Sequence, residues 1–272
     1  MKRALNQATA PNLSYQAFLD LAAAVGCVGV EPRNDLGRPL FDGAAPEEAA
    51  RMAQDRGLRL LGLSQVYPFN DWSEARCDEI ADLIETARRA GAEGVSLIPR
   101  VDGAGAEDGV RQAVLRDVLK EIIPMLRASG VIGLVEPIGF STSSLKGKAE
   151  AVEAIEALGA ADCLKVVHDT FQHALSGEAQ LFPGHTGIVH ISGLSAHQGP
   201  LTDAQDGERV LIDVGDRLGN LEQIGGMLTA GYGGAFSFEC TASEIHELPD
   251  PTAQIRTSFD FIEAQINEQP TA

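Results

Sequence analysis

The chain is short of basic residues, aromatics, paired cysteines and long apolar runs. Lys and Arg number 21 against 39 Asp and Glu, a formal net charge of −18. Nucleic-acid binding rests on neutralising phosphates with Lys and Arg, so nucleic acid is disfavoured as a partner, and an anionic membrane surface with it. The four cysteines, Cys27, Cys77, Cys163 and Cys240, never fall at CxxC spacing. Neither a disulfide framework nor a zinc knuckle is indicated, and they read as reduced apolar fillers. The longest apolar run, Leu21 to Val30, is too short and too glycine-broken to span a bilayer. The first residues, Met1-Lys2-Arg3-Ala4-Leu5-Asn6-Gln7, turn polar at once, unlike a secretory signal. The expected location is the cytoplasm.

What is present is alternation. Short apolar runs at 3–8, 27–33, 60–66, 94–100, 131–137, 164–169, 187–192 and 234–240 read as strands. Helical spacing of apolar residues marks 15–25, a stretch from Pro46, and then 73–90, 107–129, 148–159, 220–230 and 251–266. Ser14 suits a helix N-cap, Pro46-Glu-Glu suits a first turn, and Gly26 and Gly91 suit helix ends. Eight strands with helices between them predict an α/β fold, a (β/α)8 TIM barrel, as one domain over 1–272. Residues 267–272 read as a frayed tail, 103–109 as a loop, and 195–217 as a long polar loop. An open doubly wound sheet is the competing topology. No GxGxxG follows the first strand, which counts against a dinucleotide fold.

Strands of a parallel barrel are buried on both faces, and ionisable residues there are costly unless paired or bound to metal. Four successive strands nevertheless carry one near their C-terminal ends. They are Glu136 in GLVEPIG, Asp169 in KVVHDT, His190 in GIVHISG and Glu239 in AFSFECTA. In barrel enzymes that end carries the active site. Alternation places Ser237 and Ala235 on the inward face with Glu239, and Phe236 and Phe238 outside. The same parity places Ile188 below His190, and Ile132 and Leu134 below Glu136. Three carboxylates and one imidazole suit a hard-to-borderline divalent ion such as Mn²⁺, Mg²⁺ or Co²⁺, with Zn²⁺ an alternative.

With these residues the chain resembles the xylose-isomerase-like TIM-barrel superfamily along nearly its whole length. The segments APNLSYQAFLDLAAAVGCVGVEPRNDL, LVEPIGFSTSSLK, HDTFQH, VHISG and RVLIDVGDRLGN are most similar to inosose isomerases. The resemblance implies a metal held by Glu136, Asp169, His190 and Glu239, with Glu136 and Glu239 also moving the substrate proton. It implies interconversion of 2-keto-myo-inositol and 1-keto-D-chiro-inositol through an enediolate that the ion, Mn²⁺ first, stabilises as a Lewis acid. Rival activities on the same site are ketose 3-epimerisation and inosose dehydration. The non-enzyme rival is a sugar-binding barrel without turnover. Relatives carry a His three residues after the strand-six Asp. Here that position is Gln172 with His173 next, so His173 is a candidate substrate contact. Arg209, in the loop after strand seven, matches a substrate-touching Arg. The expected partner is a small polyol ketone or ketose. Such barrels often self-associate, so a homo-oligomer belongs to the expectations, although the sequence marks no interface.

The remaining polar residues divide evenly or lean to ordinary roles. Arg33, sharing parity with Glu31 at the end of strand two, suits either a substrate hydroxyl or an ion pair bracing the rim. Lys146 reads as a solvated loop lysine, His168 as facing the helices, and His185 as structural. His197 and His246 are candidate outer supports of the site. Tyr67, Pro68, Phe69 and Trp72 form a cluster that suits a sugar-pocket wall or a packed loop.

Overall fold

The computed structural model describes residues 1–268. The strands are β1 (Lys2–Asn6), β2 (Gly29–Glu31), β3 (Arg59–Leu60), β4 (Leu63–Val66), β5 (Gly94–Leu97), β6 (Ile132–Val135), β7 (Leu164–Asp169), β8 (Thr186–Ile191) and β9 (Ala235–Phe238). They form one parallel sheet in the order β3-β2-β1-β9-β8-β7-β6-β5-β4. The two ends of that order, β3 and β4, are halves of one barrel strand, so the sheet is a nearly closed TIM barrel. The strand expected over 60–66 therefore splits. Its lower half pairs with β2 and its upper half with β5. Leu61 N donates to Val30 O (2.9 Å) and Glu93 N donates to Leu60 O (2.9 Å), tying the seam on both sides. At the joint, a Cβ on Gly62 would come within 3.2 Å of Leu134 Cδ1, so a larger residue would press on the barrel interior.

The helices are α1 (Tyr15–Ala24), α2 (Pro46–Gln54), α3 (Glu74–Ala90), α4 (Val110–Ser129), α5 (Lys148–Ala157), α6 (Thr170–Ser176), α7 (Asn220–Thr229), α8 (Ser243–His246) and α9 (Pro251–Glu268). Ser14 Oγ accepts from Ala17 N and Ser73 Oγ from Arg76 N, each at 3.2 Å, closing the first turns of α1 and α3. Gly91 ends α3 in the left-handed region at φ +62°. The short α6 and the one-turn α8 are additions to the expected helices. Of the expected frayed tail 267–272, Asn267 and Glu268 still belong to α9, and 269–272 lie outside the described residues. Among the described residues, no helix is long and apolar enough to cross a membrane.

Strand alternation divides the core in two. Ala4, Leu61, Leu134, Val167, Ile188 and Ala235 form an inner cluster inside the barrel, with Val28 and Ile132 packed against it. Phe236 and Phe238 join the larger outer core instead, where the Phe238 ring lies 4.5 Å from Phe259 of α9. The expected parity thus holds on β6, β8 and β9. Burying each such aromatic contributes on the order of 1.5–3 kcal/mol. Two residues beyond the inner cluster, on the same strand faces, come Asn6, Glu136, Asp169, His190 and Ser237. The apolar plug therefore gives way to a polar layer at the C-terminal rim.

Candidate metal centre

β6, β7, β8 and β9 are consecutive neighbours in the barrel, and their ends bring Glu136, Asp169, His190 and Glu239 together. Glu136 and Glu239 stand just past the ends of β6 and β9. All four are buried, and one ligand atom from each lies within 4.8 Å of the others. His190 Nδ1 is 3.2 Å from Glu239 Oε2, 3.5 Å from Glu136 Oε1 and 4.0 Å from Asp169 Oδ2. That nitrogen is buried and has no hydrogen-bond partner. Its ring partner Nε2 lies 3.0 Å from Glu31 Oε2. Asp169 divides its oxygens. Oδ1 caps α6 by accepting from Gln172 N (2.8 Å), which leaves Oδ2 for the cluster.

Two arginines close the site from above. Arg209 Nη2 lies 2.5 Å from Asp169 Oδ2 and 3.1 Å from Glu239 Oε2, and Nε donates to Ser192 Oγ (3.0 Å). The long loop after β8 delivers it by folding back: Gly193 and Val210 exchange backbone bonds of 2.7 and 3.0 Å. Thr241 N and Ala242 N both donate to Arg209 O at 3.0 Å, tying the loop to the end of β9. Arg33 Nη1 reaches Glu239 Oε1 (2.8 Å), while its Nε and Nη2 grip Asp35 at 2.8 and 2.7 Å. Arg33 is thus an ion-paired brace that also faces the mouth.

Burial pushes the Glu136 and Asp169 carboxyls up, against the pull of His190 on the first and Arg209 on the second. Burial also works against the charged form of Glu239, but His190, Arg209 and Arg33 hold it well below the carboxylate range. His190 is buried too, yet Glu31, Glu239 and Glu136 lift it well above an ordinary histidine. Carboxylates outnumber cations here: Glu31, Glu136, Asp169 and Glu239 surround His190, while Arg33 and Arg209 also pair with Asp35 and Asp206. A divalent ion would add positive charge where it is short. The unpartnered His190 Nδ1 and the oxygen-rich donor set fit such an ion.

Above the cluster opens a cavity of about 330 Å³ with Glu136, Glu239, Arg33 and Arg209 in its walls. Gln65, Tyr67, Ile98, Phe140 and Gln172 complete the mouth. His173, expected at the substrate, is elsewhere. Asp169 caps a helix that turns Gln172 to the mouth and His173 into a small cleft behind, beside Lys146 and Lys148. There Lys148 Nζ lies 2.6 Å from His173 Nδ1. Of the aromatic cluster, Tyr67 lines the cavity while Phe69 is fully buried. His168 faces the helices as expected, with Nε2 3.0 Å from Gln223 Oε1 of α7. His185 pairs with Glu156 (3.1 Å), His197 with Glu208 (3.0 Å), and His246 Nε2 lies 3.1 Å from Cys240 O, so none of the three enters the cluster. The residue missed by sequence reasoning is Glu31. Its signal was a buried acid at a strand end, but nothing local tied it to His190.

Residues 19–265 match the family model described as the xylose isomerase-like TIM barrel. The chain belongs to this family. A solved relative is a xylose isomerase domain containing protein from Salmonella typhimurium LT2, 28% identical, with a TM-score of 0.89 over 98% of this chain and 97% of that one. The IolI protein, solved with a bound zinc atom, is 19% identical, with a TM-score of 0.82 over 99% of this chain and 100% of that one. D-psicose 3-epimerase from Clostridium cellulolyticum H10 is 14% identical, with a TM-score of 0.73 over 98% of this chain and 99% of that one. No curated protein matches the chain by sequence.

Proposed function

We propose that the protein is a metal-dependent isomerase of a small cyclic polyol ketone, interconverting 2-keto-myo-inositol and 1-keto-D-chiro-inositol. The observation that carries this reading is the placement of Glu136 and Glu239. Both belong to the four-residue cluster that fits a divalent ion, and both line the cavity above it. The cavity's volume lies at the small end for ligand sites, which suits a six-carbon polyol. The zinc in the IolI structure and the 3-epimerase fold of a further neighbour support metal-assisted chemistry on a small sugar.

Glu136, Asp169, His190 and Glu239 would hold the ion, Mn²⁺ in first place, with Mg²⁺, Co²⁺ and Zn²⁺ as alternatives. When bound, the ion supplies Lewis-acid polarisation of the substrate's ketone oxygen. Glu136 and Glu239 carry the proton work. One takes the proton from the hydroxyl-bearing carbon beside the ketone, and that one or the other delivers a proton to the former ketone carbon. The hydroxyl proton passes to the old ketone oxygen, so the atoms balance and the ketone moves by one carbon. His190, Arg209 and Arg33 keep Glu239 ionised, and the Arg209 guanidinium faces a substrate oxygen at the cavity wall. Ile98, Val101, Ile138 and Phe140 supply an apolar wall for the carbon-bound face of a ring.

The test is incubation of 2-keto-myo-inositol with the Mn²⁺-loaded protein and identification of the product by NMR. The expected product carries the ketone on the adjacent carbon. A dehydrated dione, or turnover of open ketohexoses alone, would overturn the substrate assignment. No turnover of either class would overturn the enzyme reading and favour a sugar-binding barrel.

A further inference from the structure

We infer that Glu31 is a positioning residue of this centre: its carboxylate accepts a hydrogen bond from the Nε2–H of His190 and so leaves Nδ1 as the ligand atom. This rests on the metal reading of the cluster. β2 is three residues long and ends at Glu31, beside Asn6 of β1. From there the side chain reaches across the barrel interior to a histidine 159 residues away in sequence.

The geometry is one-sided. Glu31 is fully buried, and its Oε2 lies 3.0 Å from His190 Nε2. Its Oε1 has no partner, and among the described residues no Lys or Arg pairs with it. A buried carboxylate so poorly compensated is expensive, and a buried pair of this kind is weak evidence for a stabilising role. What it does accomplish is a choice between the two imidazole nitrogens. A neutral imidazole carries one N–H. With an acceptor fixed at Nε2, the hydrogen stays there, and the Nδ1 lone pair faces three carboxylate oxygens within 4.0 Å. The other tautomer would aim an N–H into the space the ion needs. An acid that orients a ligating histidine also raises its donor strength, and loss of such a partner lowers metal affinity about 10–100-fold.

The test uses full-length wild type, Glu31→Gln and Glu31→Leu, with Zn²⁺ as the diamagnetic probe. Gln keeps an acceptor oxygen and removes the charge, whereas Leu removes both. Chelator competition should show affinity falling about 10–100-fold in the Gln variant and further in the Leu variant. Nitrogen–proton correlation spectra of isotope-labelled histidine should show the zinc-loaded wild type with hydrogen on Nε2 of His190. Variants that lose thermal stability but keep wild-type zinc affinity would overturn the assignment alone. A wild type that binds no ion would overturn the assignment and the metal reading together. Should the Leu variant fail to fold, the wild-type spectrum still decides: hydrogen on Nδ1 overturns the inference.

Discussion

Arg209 and Asp169 meet inside the barrel rim at 2.5 Å, and the same Arg209 nitrogen sits 3.1 Å from Glu239. A guanidinium from a loop thus serves two of the three carboxylates around His190 Nδ1. Arg209, Asp169 and Glu239 are all buried, so the contacts are not screened by solvent. Breaking such a buried pair costs about 3–5 kcal/mol, because the abandoned carboxylates stay buried. Arg209→Met should therefore lower the Tm of the ion-free protein by on the order of 10 °C. Added Mn²⁺ should recover part of that loss by supplying the missing charge. Calorimetry with and without the ion checks both statements, and an unchanged Tm would count against them.

Glu136→Gln and Glu239→Gln remove the two carboxylates assigned to proton transfer while preserving side-chain shape. Each should lower kcat by at least about 10²–10⁴-fold. Neither should unfold the barrel: at Glu136 the amide relieves carboxylate crowding, and at Glu239 its oxygen still accepts from Arg33 or Arg209. Turnover of the inosose and a thermal melt, measured on the same samples, give the comparison. Wild-type turnover in either variant would remove that residue from the mechanism.

Gly139 approaches α6 so closely that an added Cβ would lie 2.3 Å from Gln172 O and 2.9 Å from Leu175 Cβ. Its N–H also donates to Gln172 Oε1 at 2.9 Å, which sets the Gln172 side chain in the cavity wall. Gly139→Ala should cost about 1–3 kcal/mol by overpacking. It should also raise KM more than it lowers kcat, because Gln172 lines the pocket but moves no proton. Steady-state kinetics separate the two effects.

His173 gives a pH prediction with a definite sign. Burial pushes it down to about 4 from 6.5, nearby Lys148 adds to the fall, and Glu178 opposes it. His168, whose ring centroid is 4.8 Å away, is lowered well below its ordinary value by burial first and Lys148 next. Between about pH 6.5 and 4 the unfolded chain therefore binds more protons at His173 than the folded one. Its contribution to stability is complete above 6.5 and is lost as the pH falls through that window. His173→Asn keeps a neutral side chain there and should flatten the difference in Tm between pH 7 and pH 5. An equal difference in both proteins would refute the assignment.

The buried cluster was legible because cost makes it visible. Ionisable residues at the ends of four apolar strands have few reasons to be there, and period-two alternation gave their direction. The positions of Glu136, Asp169, His190 and Glu239 in one buried cluster follow from that pattern and the neighbour order of β6 to β9. Glu31 was legible as a strand-end acid, but its link to His190 exists only across the closed barrel. The split of the third strand was not legible, since Leu60 to Val66 reads as one strand and the change of partner depends on β2 and β5 together. His173 was misplaced because its direction is set by the Asp169 cap of α6, a local turn that sequence spacing does not fix.

The central claim is that Glu136, Asp169, His190 and Glu239 hold one divalent ion. Its most direct test is metal content after EDTA treatment and re-titration, in wild type and in His190→Asn. The account predicts one tightly bound Mn²⁺ or Zn²⁺ per wild-type chain, and binding weakened by orders of magnitude in the variant. A wild type that takes up no ion, or a variant that binds one as tightly as wild type, would contradict it.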